Sequence, residues 1–194
     1  MKRLILQEFV SLDGLVAGSN DSVDFIPKAT QGDRSFGVEQ LNMIGSVDTM
    51  LLGSVTYRMF AEYWPRVTEG DEKEFADRFN AMPKIVFSRR IDRAPWGKWQ
   101  EAKVVKTGAV EEVAKLKQRD GKDMIIFGSI SVAQSLMNEG LIDEYRLVVC
   151  PVVLGNGRPL FREHVDQTEM KLQEAKPFDR GEVLLTYQAA NAGV

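Results

Sequence analysis

The chain has 194 residues, 44% of them hydrophobic and 27% charged, which is ordinary for a globular protein and excludes a disordered or fibrous chain. Its 25 Lys and Arg residues against 28 Asp and Glu residues give a net charge of −3, which argues against a broad basic face for nucleic acid. The one cysteine, Cys150, excludes an internal disulfide framework and a thiolate metal cluster, and we expect no metal site. The length predicts a single domain over residues 1–190, with a frayed tail over 191–194.

The first apolar run, Leu4-Ile5-Leu6, is interrupted at once by Gln7 and Glu8. It is too short for a signal peptide, and no run approaches the length of a membrane-spanning helix. We therefore expect a cytoplasmic protein that acts on a small molecule, with neither nucleic acid nor a membrane as its partner.

Apolar periodicity predicts strands that alternate with helices over the first 140 residues. In chain order the predicted elements are strand 4–10, helix 33–44, strand 49–53, helix 55–62, helix 72–82, strand 84–88, a weak strand 102–106, helix 110–119, strand 124–127 and helix 131–139. Residues 20–28 and the segment with Pro95, Trp96 and Trp99 are predicted as loops. Strands joined by loops follow at 145–151, 171–175 and 182–188. This order predicts a three-layer α/β fold, whose mixed, mostly parallel central sheet has flanking helices and antiparallel C-terminal strands.

Three turns after predicted strands have residues suited to an anion: Gly53-Ser54-Val55-Thr56, Ser88-Arg89-Arg90 and Gly128-Ser129-Ile130-Ser131. In an open α/β sheet, ligands bind beyond the carboxyl ends of the strands, where backbone amides and helix N-termini collect. A glycine and a serine in such a place are commonly only a turn and a helix cap. The three turns together favour a nucleotide with several phosphates, although neither a G-x-G-x-x-G fingerprint nor a P-loop is present.

Few residues are candidates for acid or base chemistry. Asp13 follows the first strand, and it is equally consistent with a catalytic acid and with a turn aspartate before glycine. Asp33 and Glu39 flank the entry to the first helix, where a carboxylate serves a ligand or favours the helix N-terminus. His164, the only histidine, lies in a polar stretch typical of the surface.

Taken in order, the motifs at the strand ends resemble the dihydrofolate reductase-like superfamily. The residues that carry the resemblance are Ser11-Leu12-Asp13-Gly14 with Ala17-Gly18, then Leu51 to Tyr57, Lys84 to Arg89, Gly128-Ser129 and the stretch from Leu141 to Phe161. They span nearly the whole chain and look most like the branch that includes the reductase domain of the bifunctional riboflavin-biosynthesis deaminase-reductase. The resemblance implies a dihydrofolate reductase-like sheet, bound NADPH and often a homodimer.

The resemblance also implies roles for individual residues. Those implied to hold the cofactor phosphates are Gly53, Ser54 and Thr56, with Gly128, Ser129, Ile130 and Ser131 for the pyrophosphate. Those implied at the adenosine end with its 2′-phosphate are Ser88 and Arg89, and those implied to flank the nicotinamide are Phe9, Val16 and Ala17. Ser54 stands where the reductases commonly have a basic residue, so NADPH preference rests on Arg89 or Arg58. Branched Ile130 does not easily take the positive φ open to glycine.

The resulting hypothesis is an NADPH-dependent reductase that delivers a hydride to a C=N or C=O carbon of a small polar heterocyclic or phosphoribosyl substrate. The reaction it resembles most is that of 5-amino-6-(5-phosphoribosylamino)uracil reductase. The candidate catalytic residues are Asp13 and Asp33, and the candidates for binding a substrate phosphate are Arg34, Arg58 and Arg158. Two alternatives remain open: a nucleotide-binding sensor or assembly module without turnover, and dihydrofolate reductase proper, whose helix acid would fall close to Gly37.

Overall fold

A computed structural model describes residues 1–161 and 167–189 of the chain, so His164 and the predicted frayed tail at 191–194 lie outside the described residues. The strands are β1 Leu4–Ser11, β2 Leu15–Gly18, β3 Val47–Gly53, β4 Lys84–Phe87, β5 Ala94–Trp96, β6 Trp99–Val105, β7 Asp123–Phe127, β8 Glu144–Cys150, β9 Gly157–Pro159, β10 Met170–Pro177 and β11 Val183–Ala189. The α-helices are α1 Phe25–Thr30, α2 Arg34–Ser46, α3 Ser54–Tyr63, α4 Lys73–Ala81, α5 Ala109–Lys117 and α6 Ile130–Asn138.

Nine strands form one sheet in the order β10-β11-β8-β1-β7-β3-β4-β6-β5. The six strands from β8 to β6 in this order run parallel to one another, whereas β5, β10 and β11 are joined antiparallel. The central strands are completely buried, as at Met124–Ile126, because helices cover both faces of a parallel sheet. The predicted fold class is confirmed.

The two faces of the sheet carry separate apolar clusters. Helices α5 and α6 pack on one face through Val113, Leu116 and Leu136, while α2, α3 and α4 pack on the other through Met43, Tyr57 and Phe79. Alternate residues of β1 enter the two clusters, since successive side chains of a strand point to opposite faces. The carboxyl ends of the parallel strands are thereby brought to a single edge between the two helical layers.

Two predicted loops contain regular structure. Residues 20–28 include the start of α1, which the sequence pattern does not indicate because its stability comes from Phe25 and Ala29 packing against Cys150. The segment with Pro95 forms β5, an edge strand in which proline is tolerated, and the fully buried Trp96 indole donates to Asn80 Oδ1 at 2.7 Å. These two loop predictions are wrong.

A second, two-stranded sheet pairs β2 with β9 in antiparallel fashion. Neither strand is predicted by the sequence, since each is short and its partner lies about 140 residues away along the chain. Throughout residues 1–161 and 167–189, every helix is too short or too polar to cross a lipid bilayer.

Candidate functional site

Hydrogen bonds join two of the predicted anion-binding turns. The Gly53 amide donates to Ser129 Oγ at 2.8 Å, and the Ser129 amide donates to Thr56 Oγ1 at 2.9 Å. Both bonds are buried, and they are possible because β3 and β7 are neighbours whose carboxyl ends lie side by side. The N-termini of α3 and α6 therefore lie next to each other, with their positive dipole ends at the same edge of the sheet.

The turn after β7 depends on a left-handed backbone. Gly128 has a φ of 55° and Ser129 a φ of 58°, whereas Ile130 is the first residue of α6. A Cβ atom at Gly128 would lie 3.2 Å from the Thr56 side chain, so glycine is needed for this close approach. Ile130 therefore does not need the positive φ that a branched residue disfavours. Ser129 adopts the positive φ instead, and two hydrogen bonds hold it in place.

An open cavity of about 460 Å³ lies beside these turns, at the ends of β4 and β6 and along α6. Its lining residues are Phe87, Ser88, Arg89, Lys106, Thr107, Ala109, Ser131, Val132 and Ser135. The cavity therefore brings the predicted turn at Ser88 and Arg89 next to Ser131, which follows the Gly128 turn. Lys106, which sequence reasoning missed, adds a second cation and forms an ion pair with Asp92 at the surface. Hydroxyl groups and cations together suit a phosphate group.

Asp13 lies in the exposed turn after β1. Its carboxylate accepts hydrogen bonds from the amides of Leu154 at 3.1 Å and Gly155 at 2.7 Å. A hydrogen bond with Ser11 and those two amides lower the pKa of Asp13 to about 2. The side chain therefore links the loop after β1 to the loop before β9, and as an ionised group at neutral pH it is a poor proton donor.

Asp33 is buried and forms the N-cap of α2. Its carboxylate accepts from the Phe36 amide at 2.8 Å, the Ser35 hydroxyl at 2.7 Å and the Arg180 amide at 3.0 Å. Burial by itself would raise the pKa of Asp33, but these three hydrogen bonds outweigh it and lower the pKa. The carboxylate is thus engaged in capping α2 and in holding the β10–β11 hairpin against it.

Glu39 is engaged as well. Its two oxygens pair with Arg146 and with Lys176, each at 2.6 Å. Gly37, the position expected for the acid of a folate reductase, is exposed and has no carboxylate. The entry to α2 therefore does not offer a free acid at the positions that the sequence indicated.

The other predicted residues lie around the same edge of the sheet. Phe9 packs against Phe36 on the α2 face, with ring centroids 5.9 Å apart, while Val16 and Ala17 are buried in β2. The three arginines occupy three different elements and are all exposed: Arg34 begins α2, Arg58 lies in α3, and Arg158 lies in β9. The Arg158 guanidinium is 3.8 Å from the Asp21 carboxylate.

Two buried acids were missed by sequence reasoning. Glu8 is 4% exposed, its Oε1 has no hydrogen-bond partner, and burial raises its pKa well above the ordinary value. The sequence could have identified Glu8, because a charged residue interrupts the otherwise apolar run of β1 there. Glu182 is completely buried, but it directly precedes a strand in a polar stretch, where the sequence carries no such signal.

Comparison with known proteins bears on the fold and on the family. The sequence pattern of the family described as the RibD C-terminal domain matches residues 2–184. The uncharacterized protein YyaP of Bacillus subtilis (strain 168) is 33% identical over 187 residues, which cover 96% of this chain and 94% of that protein.

Solved structures are similar along nearly the whole chain. A putative riboflavin biosynthesis protein from Shewanella sp. PV-4 has a TM-score of 0.74 at 22% identity, covering 97% of this chain and 99% of that one. Dihydrofolate reductase from Enterococcus faecalis, complexed with NADP(H) and RAB-propyl, has a TM-score of 0.61 at 11% identity, covering 97% of both chains. At these identities the likeness concerns the fold, and it confirms the predicted dihydrofolate reductase-like architecture.

Proposed function

The chain belongs to the family of RibD C-terminal domains, and from this premise we propose that it is an NADPH-dependent reductase. It delivers a hydride to a C=N or C=O carbon of a small polar heterocyclic or phosphoribosyl substrate, in a reaction like that of 5-amino-6-(5-phosphoribosylamino)uracil reductase. The observation that carries the proposal is the pair of buried hydrogen bonds that join the Gly53 turn to the Gly128 turn. These turns lie next to a cavity that is lined in part by Arg89 and Lys106.

These residues fit the cofactor. The adjacent N-termini of α3 and α6 suit the pyrophosphate, because unpaired amides and the helix dipole favour an anion there. Ser54 supplies no charge, so Arg89 and Lys106 are the cations that would bind the 2′-phosphate and favour NADPH over NADH. When bound, the cofactor supplies the hydride, and the protein supplies alignment and charge.

The remaining residues receive positioning roles. Phe9, Val16 and Ala17 would flank the nicotinamide, and Asp13 holds the loop after β1 through its hydrogen bonds from the amides of Leu154 and Gly155. Substrates with a ribose phosphate would meet Arg34, Arg58 or Arg158, whose exposed guanidinium groups can bind it bidentately. We further propose that the protein is cytoplasmic. We also propose that it forms a homodimer, since β10 is a mostly exposed edge strand that can pair with or pack against a second copy of the chain.

The same residues bear on the two alternative functions. A sensor or assembly module without turnover is favoured by the lack of a proton donor at Asp13 and Asp33, which are both held as carboxylates by hydrogen bonds. Dihydrofolate reductase proper is disfavoured, because Asp33 and Glu39 are occupied and Gly37 has no side chain.

Fluorescence titration with NADPH and NADH in parallel tests the proposal. We expect saturable binding that is tighter for NADPH, and we expect Arg89→Ala to weaken NADPH by about tenfold while affecting NADH less, because only NADPH has the 2′-phosphate. The control is Arg119→Ala, which removes an exposed arginine beyond the end of α5 and away from the cavity. Absence of binding by both cofactors would refute the reductase assignment.

A further inference from the structure

Helix α3 has an apolar stripe that the fold leaves open to solvent. Val55, Met59 and Tyr63 follow one another at intervals of four residues, so they lie on one face of the helix, and we call them the α3 stripe. Their exposed fractions are 78%, 46% and 49%. Met59 and Tyr63 also line a second cavity of about 480 Å³. Neighbouring exposed apolar side chains beside a cavity are typical of a binding site.

The α3 stripe faces the middle of the sheet. Successive residues of a helix are turned by about 100° from one another, so Val55 and Tyr57 lie on opposite sides of Thr56. The Tyr57 hydroxyl donates to the carbonyl oxygen of Pro95 in the edge strand β5 at 2.9 Å. Thr56 accepts from the Ser129 amide just beyond β7, and β5 and β7 lie on opposite sides of β3. The α3 stripe therefore faces away from β5, toward β7 and β1.

Helix α2 borders the same space from the other side. The Glu39 carboxylate pairs with Arg146 of β8 and Lys176 of β10, two strands on the side of β1 away from β3. Gly37 and Leu41 lie two residues before and after Glu39, so they point to the opposite side of α2, where α3 packs over β3 and β4. A Cβ atom at Gly37 would have no atom of the described chain within 4 Å. The side of α2 that faces α3 therefore leaves room for a ligand.

The polar groups of the second cavity are already paired within the protein. Glu62 and Arg66 form an ion pair with each other at 3.7 Å, and the Tyr63 hydroxyl donates to Glu72 at 2.5 Å. The surface that remains for a ligand is apolar and consists of Met59, Val67 and the Tyr63 ring. A phosphate group there would meet the carboxylates of Glu62 and Glu72, which repel it. The cavity therefore suits an uncharged apolar group and disfavours a phosphate.

We propose that the space between the α3 stripe and α2 binds an apolar arm of the substrate, either aromatic or branched aliphatic. This inference rests on the proposed function, and it narrows the substrate to a heterocycle that carries an apolar arm instead of a phosphoribosyl arm. Helix α3 connects the two places, because it begins at the Gly53 turn proposed to hold the cofactor. With a rise of 1.5 Å per residue, Met59 lies about 9 Å along the helix from that turn, within reach of a substrate that contacts the cofactor.

Three ligands that share one pyrimidine ring test the proposal: 6-aminouracil, 6-(benzylamino)uracil and 5-amino-6-(5-phosphoribosylamino)uracil. Their binding is measured by isothermal titration of the full chain saturated with NADP⁺, the oxidised cofactor, so that no turnover occurs. We expect the benzyl compound to bind the wild type at least about tenfold tighter than 6-aminouracil, because its ring is buried against apolar surface. We also expect it to bind more tightly than the phosphoribosyl compound.

The variant Met59→Ser should lose most of the gain from the benzyl group and keep the wild-type affinity for 6-aminouracil and NADP⁺. The matched control is Leu172→Ser in β10, which removes a side chain of similar exposure, 50% against 46%, and should leave all affinities unchanged. Both side chains are about half exposed, so both variants should fold, and their melting temperatures check this.

Three results would overturn this inference and leave the reductase assignment intact. The first is a benzyl compound that binds the wild type no tighter than 6-aminouracil, or not at all, and the second is a benzyl gain that Met59→Ser leaves unchanged. The third is a change in sedimentation coefficient in Met59→Ser alone, which would show that a second copy of the chain covers the α3 stripe. If the wild type binds neither NADPH nor NADP⁺, the proposed function falls and this inference falls with it.

Discussion

Replacement of Thr56 by valine tests the hydrogen bonding that joins the Gly53 turn to the Gly128 turn. The change keeps the shape of the side chain and removes the Oγ1 atom that accepts from the Ser129 amide at 2.9 Å. That amide is then buried without an acceptor, which costs about 1–3 kcal/mol in the free energy of unfolding. The backbone of Ser129 is already in the left-handed region, at a φ of 58°, so the lost bond also weakens the contact that holds this conformation.

Urea denaturation of Thr56→Val measures the loss in the free energy of unfolding. An unchanged slope of this free energy against urea concentration shows that the surface exposed on unfolding is the same as in the wild type. Thr68→Val, at an exposed loop position, is the matched control and should stay within about 0.5 kcal/mol of the wild type. NADPH affinity should fall in Thr56→Val and not in the control. If Thr56→Val has wild-type stability and wild-type NADPH affinity, the hydrogen bond between these turns does not hold the binding site in shape, and the reasoning is refuted.

Two further predictions concern single titratable groups. Burial lowers the pKa of Lys84 from 10.5 to about 7, so unfolding takes up a proton between these pH values and the free energy of unfolding should increase from pH 7 to pH 10.5. Lys84→Met should flatten this part of the pH profile in denaturant titrations, and an unchanged profile would contradict the assignment. Asp13→Asn weakens the acceptor for the amides of Leu154 and Gly155, so turnover should fall while NADPH affinity stays unchanged. An unchanged rate would remove Asp13 from the site.

The sequence by itself indicated the parallel strands of the central sheet and the turns at their ends that are candidates for a binding site. Continuous apolar runs such as Met124–Phe127 are typical of strands buried on both faces, and glycine with hydroxyl residues after a strand marks the ends where ligands bind. Both signals lie within a few neighbouring residues. They could therefore be read without knowledge of the tertiary structure.

Only the tertiary structure decided how the polar groups at those ends are used. Thr56 and Ser129 were predicted as ligands of a phosphate, yet their side chains accept hydrogen bonds from each other's turn, and Asp33 caps α2. Lys106 enters the cavity, and Glu182 loses all contact with solvent, because segments far apart in sequence meet there. The partner of a polar side chain and the extent of its burial depend on such distant segments, which local sequence patterns do not encode.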